Sequence, residues 1–238
     1  MNFKMKAILL CAGYGKRLRP LTYSTPKCLV PICGKPLLEI WLEQLTNVGV
    51  KNFLINTHYL KENVEKFVNN SKFRDQIELV YEKKLLGTAG TLIKNYNFYK
   101  DCNEIMLIHA DNYSITNFHS FIKKFNERPK ECNMTMMTFK TNDIESSGTL
   151  TLKDDIVTEF FEKDPNSISN IANGAVYILS KTLFEWIKKE NFSDFSKDVI
   201  PTQMNKINIF HNDLIHIDIG TLAKYELAKS ICKKYTRN

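Results

Sequence analysis

The stretch AILLCAGYGKRLRPLTYSTPKCLVP, residues 7–31, decides how the rest of the chain is interpreted. It begins with an apolar run, turns at Gly13-Tyr14-Gly15, and continues through Lys16 and Arg17. A short apolar run that ends in glycine is typical of a buried strand leading into a tight loop. An export signal would need an apolar core of about 7–15 residues, and residues 7–10 are too short for one. We therefore predict a strand and a loop whose backbone can approach a ligand closely.

The segments that follow alternate between strand and helix patterns. Residues 51–59, 77–83 and 104–112 have the apolar character of strands, whereas 35–50, 60–70 and 87–99 are typical of helices. The apolar residues of the first helical segment fall on one face: Leu37, Leu38, Trp41, Leu42 and Leu45. Such alternation favours parallel strands covered by helices. We predict an α/β fold, specifically a Rossmann-like three-layer sandwich with a mostly parallel central sheet.

The pattern changes after about Asn112. The strand-like segments NMTMMTFK, SGTLTLKD, IVTEFFEK and NGAVYIL are separated by short turns, and residues 221–235 have a helical pattern. This indicates a mixed α+β second half. Since no Ser/Gly-rich linker separates the halves, we predict a single domain over residues 1–238, with halves at 1–112 and 113–238.

The amino-acid composition limits the kinds of molecule that the protein is expected to bind. Lys and Arg number 33 against 26 Asp and Glu, which gives a net charge of +7 and favours anionic ligands. The basic residues are scattered, and no zinc-finger or RNP-type spacing occurs, so we predict no nucleic-acid partner. No stretch approaches the ~18 apolar residues of a membrane span, so we predict no membrane partner. The six cysteines form no Cys-x-x-Cys motif, which favours reduced, mostly buried thiols in a cytoplasmic protein.

The cations near the glycine turn suggest what the loop binds. Arg17 can hold phosphate oxygens in a bidentate fork, and Lys27, stiffened by Pro26, can supply a point charge. The turn lacks the third glycine of a dinucleotide fingerprint and the Gly-Lys-Ser/Thr of a P-loop. A solvated basic loop remains the alternative, and Arg19 fits that alternative well.

The segment LCAGYGKRLRPLTYSTPKCLVPICGKPLLE resembles the signature of the sugar-1-phosphate nucleotidyltransferases. The family form is Gly-x-Gly-Thr-Arg-Leu-x-Pro-Leu-Thr, followed after several residues by Pro-Lys-Pro. Lys16 stands where the family usually has Thr, and Cys28 replaces the second Pro. The core residues Gly15, Arg17 and Lys27 match the pattern.

Further motifs match the same family in the same order along residues 5 to about 225. They are LLGTAG, HADN, FFEKDPN, NGAVYIL and HIDIGT. Four departures occur: Ala110 and His216 replace a Gly and a Trp, Asp164 displaces a Pro by one position, and Gly174 and Ala175 stand in the reverse of the family's order. No hexapeptide repeat of a second, β-helical domain is present.

The resemblance implies an enzyme that transfers a nucleotidyl group from a nucleoside triphosphate to a sugar 1-phosphate with the help of Mg²⁺. Residues 1–112 would bind the nucleotide and 113–238 the sugar phosphate. The pattern is most similar to guanylyltransferases acting on mannose- or heptose-type 1-phosphates. Uridylyl, thymidylyl or cytidylyl transfer to another sugar or small phosphate stays open, as do a catalytically silent nucleotide-binding regulator and a homodimer.

The resemblance also assigns residues. Those expected in catalysis are Arg17, Lys27, Asp111 and Lys163. Those expected to bind the nucleotide are Leu10, Ala12, Gly13, Gly15, Lys16, Arg17, Lys27, Gly87 and Thr88. Those expected to bind the sugar phosphate are Asn112, Gly148, Glu162, Lys163 and Asn173. The metal ligands would be Asp111 and Asp218.

Even without the family resemblance, the side chains present are suited to binding a metal ion. Mg²⁺ prefers oxygen ligands, and Asp111 and Asp218 each follow an apolar strand, so they can converge at strand ends. Taken alone, Asp111 could instead be a helix N-cap, and Asp218 could be a turn residue at the end of a strand. Glu162 and Lys163 could be an exposed ion pair of little energetic value.

Overall fold

The computed structural model describes residues 5–235 of the chain. Its strands and helices follow one another in this order: β1 (Lys6–Leu10), β2 (Pro31–Ile32), β3 (Lys35–Pro36), α1 (Leu37–Asn47), β4 (Phe53–Thr57), α2 (Lys61–Asn69), β5 (Ile77–Tyr81), α3 (Thr88–Lys94), α4 (Tyr96–Tyr99), β6 (Glu104–His109), β7 (Asn112–Ile115), α5 (Phe118–Asn126), β8 (Met134–Lys140), β9 (Gly148–Lys153), β10 (Ile156–Glu162), β11 (Ile171–Ser180), α6 (Lys181–Ile187), β12 (Ile207–His211), β13 (Ile215–Asp218) and α7 (Leu222–Tyr235). Short 3₁₀ helices lie at Lys16–Leu18, Leu21–Tyr23, Lys27–Leu29, Arg74–Gln76 and Ile200–Gln203, and a π-helical turn at Phe195–Val199. The α/β class predicted from the sequence is confirmed.

The chain divides into two compact units that interleave along the sequence. Within the described residues, unit one comprises 5–7, 86–108 and 116–213, and unit two comprises 8–85, 109–115 and 214–235. These units do not coincide with the division at residue 112. The single domain predicted over 1–238 stays a prediction.

In unit two, the strands lie in the order β5-β4-β1, and β4 pairs with β5 in parallel. Every residue of β4 is buried, as expected for a strand covered on both faces. Helix α1 buries the five apolar residues that its sequence placed on one face. Gly49 follows with a φ of 91°, a left-handed conformation that favours glycine after a helix end.

Two further antiparallel pairs complete unit two. Strand β7 pairs with β13, and β2 pairs with β3. A hydrophobic cluster joins these strands to helix α7, with Leu37, Tyr113, Ile219 and Tyr225 among its buried members. The hydroxyl of Tyr225 also donates a hydrogen bond to the Pro31 carbonyl, with 3.0 Å between the two oxygens.

Unit one contains the mixed half predicted from the sequence. Its strands lie in the order β6-β11-β8-β12-β10-β9. Strand β11 pairs antiparallel with both β6 and β8, β12 pairs with β8 in parallel, and β10 pairs antiparallel with β12 and β9. Helix α5 begins at Asn117, whose side chain accepts a hydrogen bond from the Ser120 amide, and buries four apolar residues.

The prediction of six reduced thiols is wrong for two of them. Cys33 and Cys232 form a disulfide, with their Cα atoms 6.3 Å apart, while Cys11, Cys28, Cys102 and Cys132 are buried thiols that are not disulfide-bonded. The bonded residues are separated by 199 positions, so sequence spacing could not reveal that the turn after β2 lies beside α7.

Residues 5–235 include no helix long and apolar enough to cross a membrane.

Candidate active site

The loop after β1 has two glycines with different structural roles. Gly15 adopts a φ of 61°, and a Cβ atom there would lie 2.9 Å from Thr22 Cγ2. The Gly15 carbonyl accepts hydrogen bonds from Thr22 Oγ1 at 2.8 Å and from the Leu18 amide at 2.9 Å. A Cβ at Gly13 would meet nothing within 4 Å. Gly15 therefore shapes the turn, whereas Gly13 leaves open space beside it.

This loop forms one wall of a cavity of about 210 Å³ in unit two. The cavity is lined by Leu10, Cys11, Gly13, Gly15, Lys16, Arg17, Leu18, Lys27, Asp111 and Gly220. Seven of these were predicted from the sequence; Cys11, Leu18 and Gly220 were not. Ala12 is buried and is not among the lining residues. The volume is below the 300–1,000 Å³ of a typical drug-sized pocket, so it suits a compact charged group rather than a whole nucleotide.

Lys27 joins two carboxylates beside this cavity. Its Nζ atom lies 2.8 Å from Asp111 Oδ2 and 3.3 Å from Asp218 Oδ1. The Lys27 side chain is only 10% exposed, whereas those of Asp111 and Asp218 are 37% and 42% exposed. The structure thus brings together two acidic residues that are separated by 107 positions in the sequence (218 − 111), as their strand-end positions predicted.

The electrostatic attraction between Lys27 and its neighbouring carboxylates determines the protonation states of Lys27 and Asp111. Burial lowers the pKa of Lys27, but the carboxylates of Asp111 and Asp218 outweigh it and raise that pKa above its usual value. Burial raises the pKa of Asp111, yet the Lys27 ammonium and His109 hold it below its usual value. An ammonium and a carboxylate stabilise each other's charged forms, so both residues are ionised at neutral pH.

Strand pairing fixes the two carboxylates. Asp218, the last residue of β13, pairs with Asn112 at the start of β7, one position after Asp111. The Asn112 carbonyl accepts a hydrogen bond from Trp41 Nε1 at 2.9 Å, which ties this strand end to α1. Asn112 is buried.

His216 stands where the resembled family has a tryptophan. Desolvation lowers the pKa of its imidazole to about 4, although the carboxylates of Asp218 and Asp111 act in the opposite direction. The imidazole is therefore neutral at neutral pH, like the aromatic ring that it replaces.

Cys11, which lines the cavity, is a poor nucleophile. A hydrogen bond with Cys28 and burial raise the pKa of the Cys11 thiol well above its usual value, and the charge of Asp111 adds to the effect. A thiol with a raised pKa has little reactive thiolate. Cys11 is therefore unsuited to covalent chemistry.

Arg17 and Arg19 differ in surroundings as the sequence predicted. Arg17 lines the cavity, and a Cβ atom at Gly220 would lie 3.1 Å from its Nη2 and 3.2 Å from Asp218 Oδ2. Arg19 instead places its guanidinium 5.0 Å from the ring centre of Tyr23. A side chain at position 220 would therefore press on both the Arg17 guanidinium and the Asp218 carboxylate.

Unit one gathers the residues predicted to bind a sugar phosphate, except Asn112. Gly148 pairs with Glu162 across β9 and β10, and a Cβ at Gly148 would lie 2.9 Å from Glu162 Oε2. Lys163 has a φ of 55° and places its Nζ 3.5 Å from Glu162 Oε1. Asn173 donates a hydrogen bond to the Tyr177 hydroxyl at 2.7 Å and accepts one from the Ala175 amide.

Gly87 and Thr88 also lie in unit one. Gly87 has a φ of 80°, and a Cβ there would lie 2.3 Å from the Ser193 carbonyl oxygen. The Thr88 hydroxyl accepts a hydrogen bond from the Phe195 amide at 2.6 Å. The Ser193 carbonyl in turn accepts hydrogen bonds from Ala89 and Gly90, so this turn is fixed by backbone contacts within unit one.

Sequence reasoning overlooked Gly220 although the HIDIGT motif contains it. The signal available was a glycine two residues after a predicted carboxylate ligand. A glycine fits at position 220 because the Arg17 guanidinium approaches it closely, and this contact is visible only in the tertiary structure.

The sequence profile of the nucleotidyl transferase family matches residues 6–234. The chain belongs to this family, and the family resemblance predicted from its motifs is confirmed. Enzymes of this family generally use a divalent metal ion.

Two relatives and one solved structure match this chain over more than nine tenths of its length. The chain is 28% identical over 233 residues to the D-glycero-alpha-D-manno-heptose 1-phosphate guanylyltransferase of Aneurinibacillus thermoaerophilus, covering 97% of this chain and 100% of that protein. It is 30% identical over 223 residues to the mannose-1-phosphate guanylyltransferase catalytic subunit beta of Danio rerio, covering 91% and 61%. HddC from Yersinia pseudotuberculosis, solved with GMP-PN, has the same fold, with a TM-score of 0.78, 24% identity and coverage of 97% and 99%.

The relatives differ in length. The chain spans about three fifths of the mannose-1-phosphate guanylyltransferases that it matches but the full length of the heptose 1-phosphate enzyme.

Proposed function

We propose that this protein transfers a nucleotidyl group from a nucleoside triphosphate to a sugar 1-phosphate and releases pyrophosphate, with GTP and a mannose- or heptose-type 1-phosphate as its substrates. The observation that carries the proposal is the paired carboxylates of Asp111 and Asp218 around one cationic centre, beside a glycine loop that carries Lys16 and Arg17. This arrangement suits a polyanion and a divalent cation together.

The reaction is a displacement at the α-phosphorus. An oxygen of the sugar phosphate forms the new P–O bond while the bond to the pyrophosphate breaks, and pyrophosphate carries away the electron pair. A phosphate monoester is already an anionic nucleophile at pH 7, so no side chain has to act as a general base. The protein's contribution is to position two anions that repel each other and to stabilise the charge that develops.

Asp111 and Asp218 fit a Mg²⁺ ion. They supply carboxylate oxygens, which Mg²⁺ prefers, and a Mg²⁺ ion in such sites typically uses one or two carboxylates together with substrate phosphates. Both side chains are more than one third exposed, so a phosphate can share the ion. When bound, the ion withdraws charge from the phosphate oxygens.

The glycine loop receives the triphosphate in this proposal. Gly13 leaves room for phosphate oxygens, and Lys16 and Arg17 offer cationic donors around the cavity. Lys27 contacts the α-phosphate. The roles of Leu10 and Ala12 are to shape the base of the loop.

Unit one supplies the residues for the second substrate. Lys163 binds the phosphate of the sugar, and Glu162 and Asn173 accept and donate hydrogen bonds to its hydroxyl groups. The ion pair between Lys163 and Glu162 orients both side chains before the sugar arrives. Gly148 allows β9 to approach Glu162 closely.

Gly87 and Thr88 are assigned to the first substrate in this proposal, where they contact the ribose and base of the nucleotide.

The preference for GTP and for a mannose- or heptose-type sugar is supported by the names of two relatives, at 28% and 30% identity. Those names describe the relatives, and this chain covers all of the heptose 1-phosphate enzyme but only 61% of the mannose-1-phosphate enzyme. Full-length coverage of the heptose 1-phosphate enzyme favours that sugar class among the two.

The test is a grid of triphosphates against sugar 1-phosphates, with released pyrophosphate as the readout. We expect release with GTP and a mannose or heptose 1-phosphate, and release that is about 10³-fold slower with Asp111→Asn. Release with UTP, dTTP or CTP alone would overturn the choice of base and keep the class of reaction. Nucleotide binding by calorimetry without release in any pair would favour a silent nucleotide-binding regulator.

Gly220 provides a test of how Arg17 is positioned. Replacing Gly220 by Ala places a Cβ 3.1 Å from Arg17 Nη2, so the flexible guanidinium must shift by a few tenths of an ångström from the position proposed to bind the triphosphate. We expect kcat/KM to fall about tenfold, or about 1.4 kcal/mol, with an almost unchanged melting temperature. The double variant Gly220→Ala/Arg17→Ala should be no slower than Arg17→Ala alone, since coupled residues are not additive. Additive losses would contradict this account.

A further inference from the structure

Lys27 holds a position between the two carboxylates proposed to bind the metal. Its ammonium lies within hydrogen-bond distance of Asp111 and close to Asp218, and its side chain is nine-tenths buried. The cationic centre between the carboxylates is therefore supplied by the protein itself.

The backbone fixes Lys27 in this place. Pro26 precedes it, the Pro26 carbonyl accepts a hydrogen bond from the Leu29 amide at 2.8 Å, and the Lys27 carbonyl accepts one from Val30. The side chain begins from a short 3₁₀ helix and is nine-tenths buried. Lys27 also lines the cavity, so its ammonium lies beside both the carboxylates and the space proposed for the phosphates.

The carboxylates are equally constrained. The pairing of β7 with β13 places Asp218 across from Asn112, the residue after Asp111. The backbones at Asp111 and Asp218 are therefore held close together. Two close carboxylates repel each other and need a cation between them. An ammonium and a divalent ion both satisfy that need, but their like charges oppose simultaneous occupation of the same oxygens.

We propose that Lys27 and the divalent metal ion are alternative occupants of the Asp111–Asp218 pair, and that Lys27 gives up the carboxylates only when a triphosphate oxygen offers it another anionic partner. This inference rests on the proposed function, since it takes the two carboxylates as the metal ligands. Its consequence is that the protein without nucleotide binds metal weakly. The metal enters together with the triphosphate, and Lys27 couples the two binding events.

The test is a titration of the nucleotide-free protein with Mn²⁺, with free Mn²⁺ measured by electron paramagnetic resonance. Lys27→Met removes the competing ammonium and keeps a side chain of similar length. We expect its Mn²⁺ affinity to exceed that of the wild type by about tenfold or more, within the usual range of coupling between two sites. Mn²⁺ should also raise the melting temperature of this variant more than that of the wild type.

Two variants control for charge alone. Lys16→Met removes an equal charge from the same cavity, but Lys16 lies over the Tyr14 ring rather than between the carboxylates. Lys27→Arg keeps a cation at position 27. Both should bind Mn²⁺ within about threefold of the wild type, below the usual range of coupling. If Lys27→Met does not fold, Lys27→Gln replaces it in the same titration.

Unchanged Mn²⁺ affinity in Lys27→Met, or an equal gain in Lys16→Met, would overturn the competition while leaving the metal site in place. Adding Asp111→Asn to Lys27→Met should remove the gained affinity. If Asp111→Asn alters Mn²⁺ binding neither alone nor in that background, the metal assignment itself fails, and with it this inference.

Discussion

Replacing Asp111 by Asn is expected to lower kcat by about 10³-fold, or about 4 kcal/mol, while the protein still folds. The amide keeps the size of the side chain but loses the charge that both Lys27 and a divalent ion require. Without it, the ion cannot be held where it stabilises charge on the phosphates. Asp218→Asn should have a similar effect, because its carboxylate lies 3.3 Å from the same ammonium.

The measurement is steady-state pyrophosphate release over a range of Mg²⁺ concentrations, with the melting temperature recorded for each variant. Lys27 retains one carboxylate in either variant, so we expect the melting temperature to fall by no more than about 4 °C. Asp213→Asn is the matched control, because its side chain is 86% exposed and lies outside unit two. Full turnover in both Asp111→Asn and Asp218→Asn would remove the metal assignment.

Replacing Arg17 by Ala is expected to cost about 2–4 kcal/mol of transition-state stabilisation, as the loss of one preorganised donor does. The reason is its position on the cavity beside Gly220 and Asp218. Arg19→Ala should cost much less for the reaction, because Arg19 lies over the ring of Tyr23, a contact worth about 0.5–1 kcal/mol at an exposed site.

The comparison uses kcat/KM for both substrates and the melting temperature of both variants. Arg17→Ala should lower kcat/KM by about 30- to 1000-fold and leave folding intact, while Arg19→Ala should stay within about threefold of the wild type, as expected of a surface substitution. Equal losses in the two variants would mean that the register proposed for the loop is incorrect.

Local patterns in the sequence determined much of the fold. The apolar run 7–10 predicted strand β1, and the glycines at 13 and 15 predicted the loop after it. The periodicity of residues 37–45 predicted the buried face of α1. These features depend on neighbours a few residues apart, which a single sequence displays directly. The third predicted helix, residues 87–99, was also correct in type, but the structure divides it at Asn95 into two helices, α3 and α4.

Other elements were not singled out from the sequence. Helix α5 places Phe118, Phe121, Ile122 and Phe125 at helical spacing and buries all four, so a periodicity signal existed there. Strand β7 has only four residues, and such a short run cannot be assigned by periodicity alone. The homodimer, the absence of a nucleic-acid partner, the cytoplasmic location and the division at residue 112 stay predictions.

The sequence by itself determined the family and the candidates for the site, because glycines, cations and strand-end carboxylates occur in ordered motifs along one line. The tertiary structure decided which of them meet. It placed Lys27 between Asp111 and Asp218, set Gly220 against Arg17, and joined Cys33 to Cys232 across 199 positions. Such contacts depend on strand pairing and packing between distant segments, and no spacing in the sequence encodes their distances.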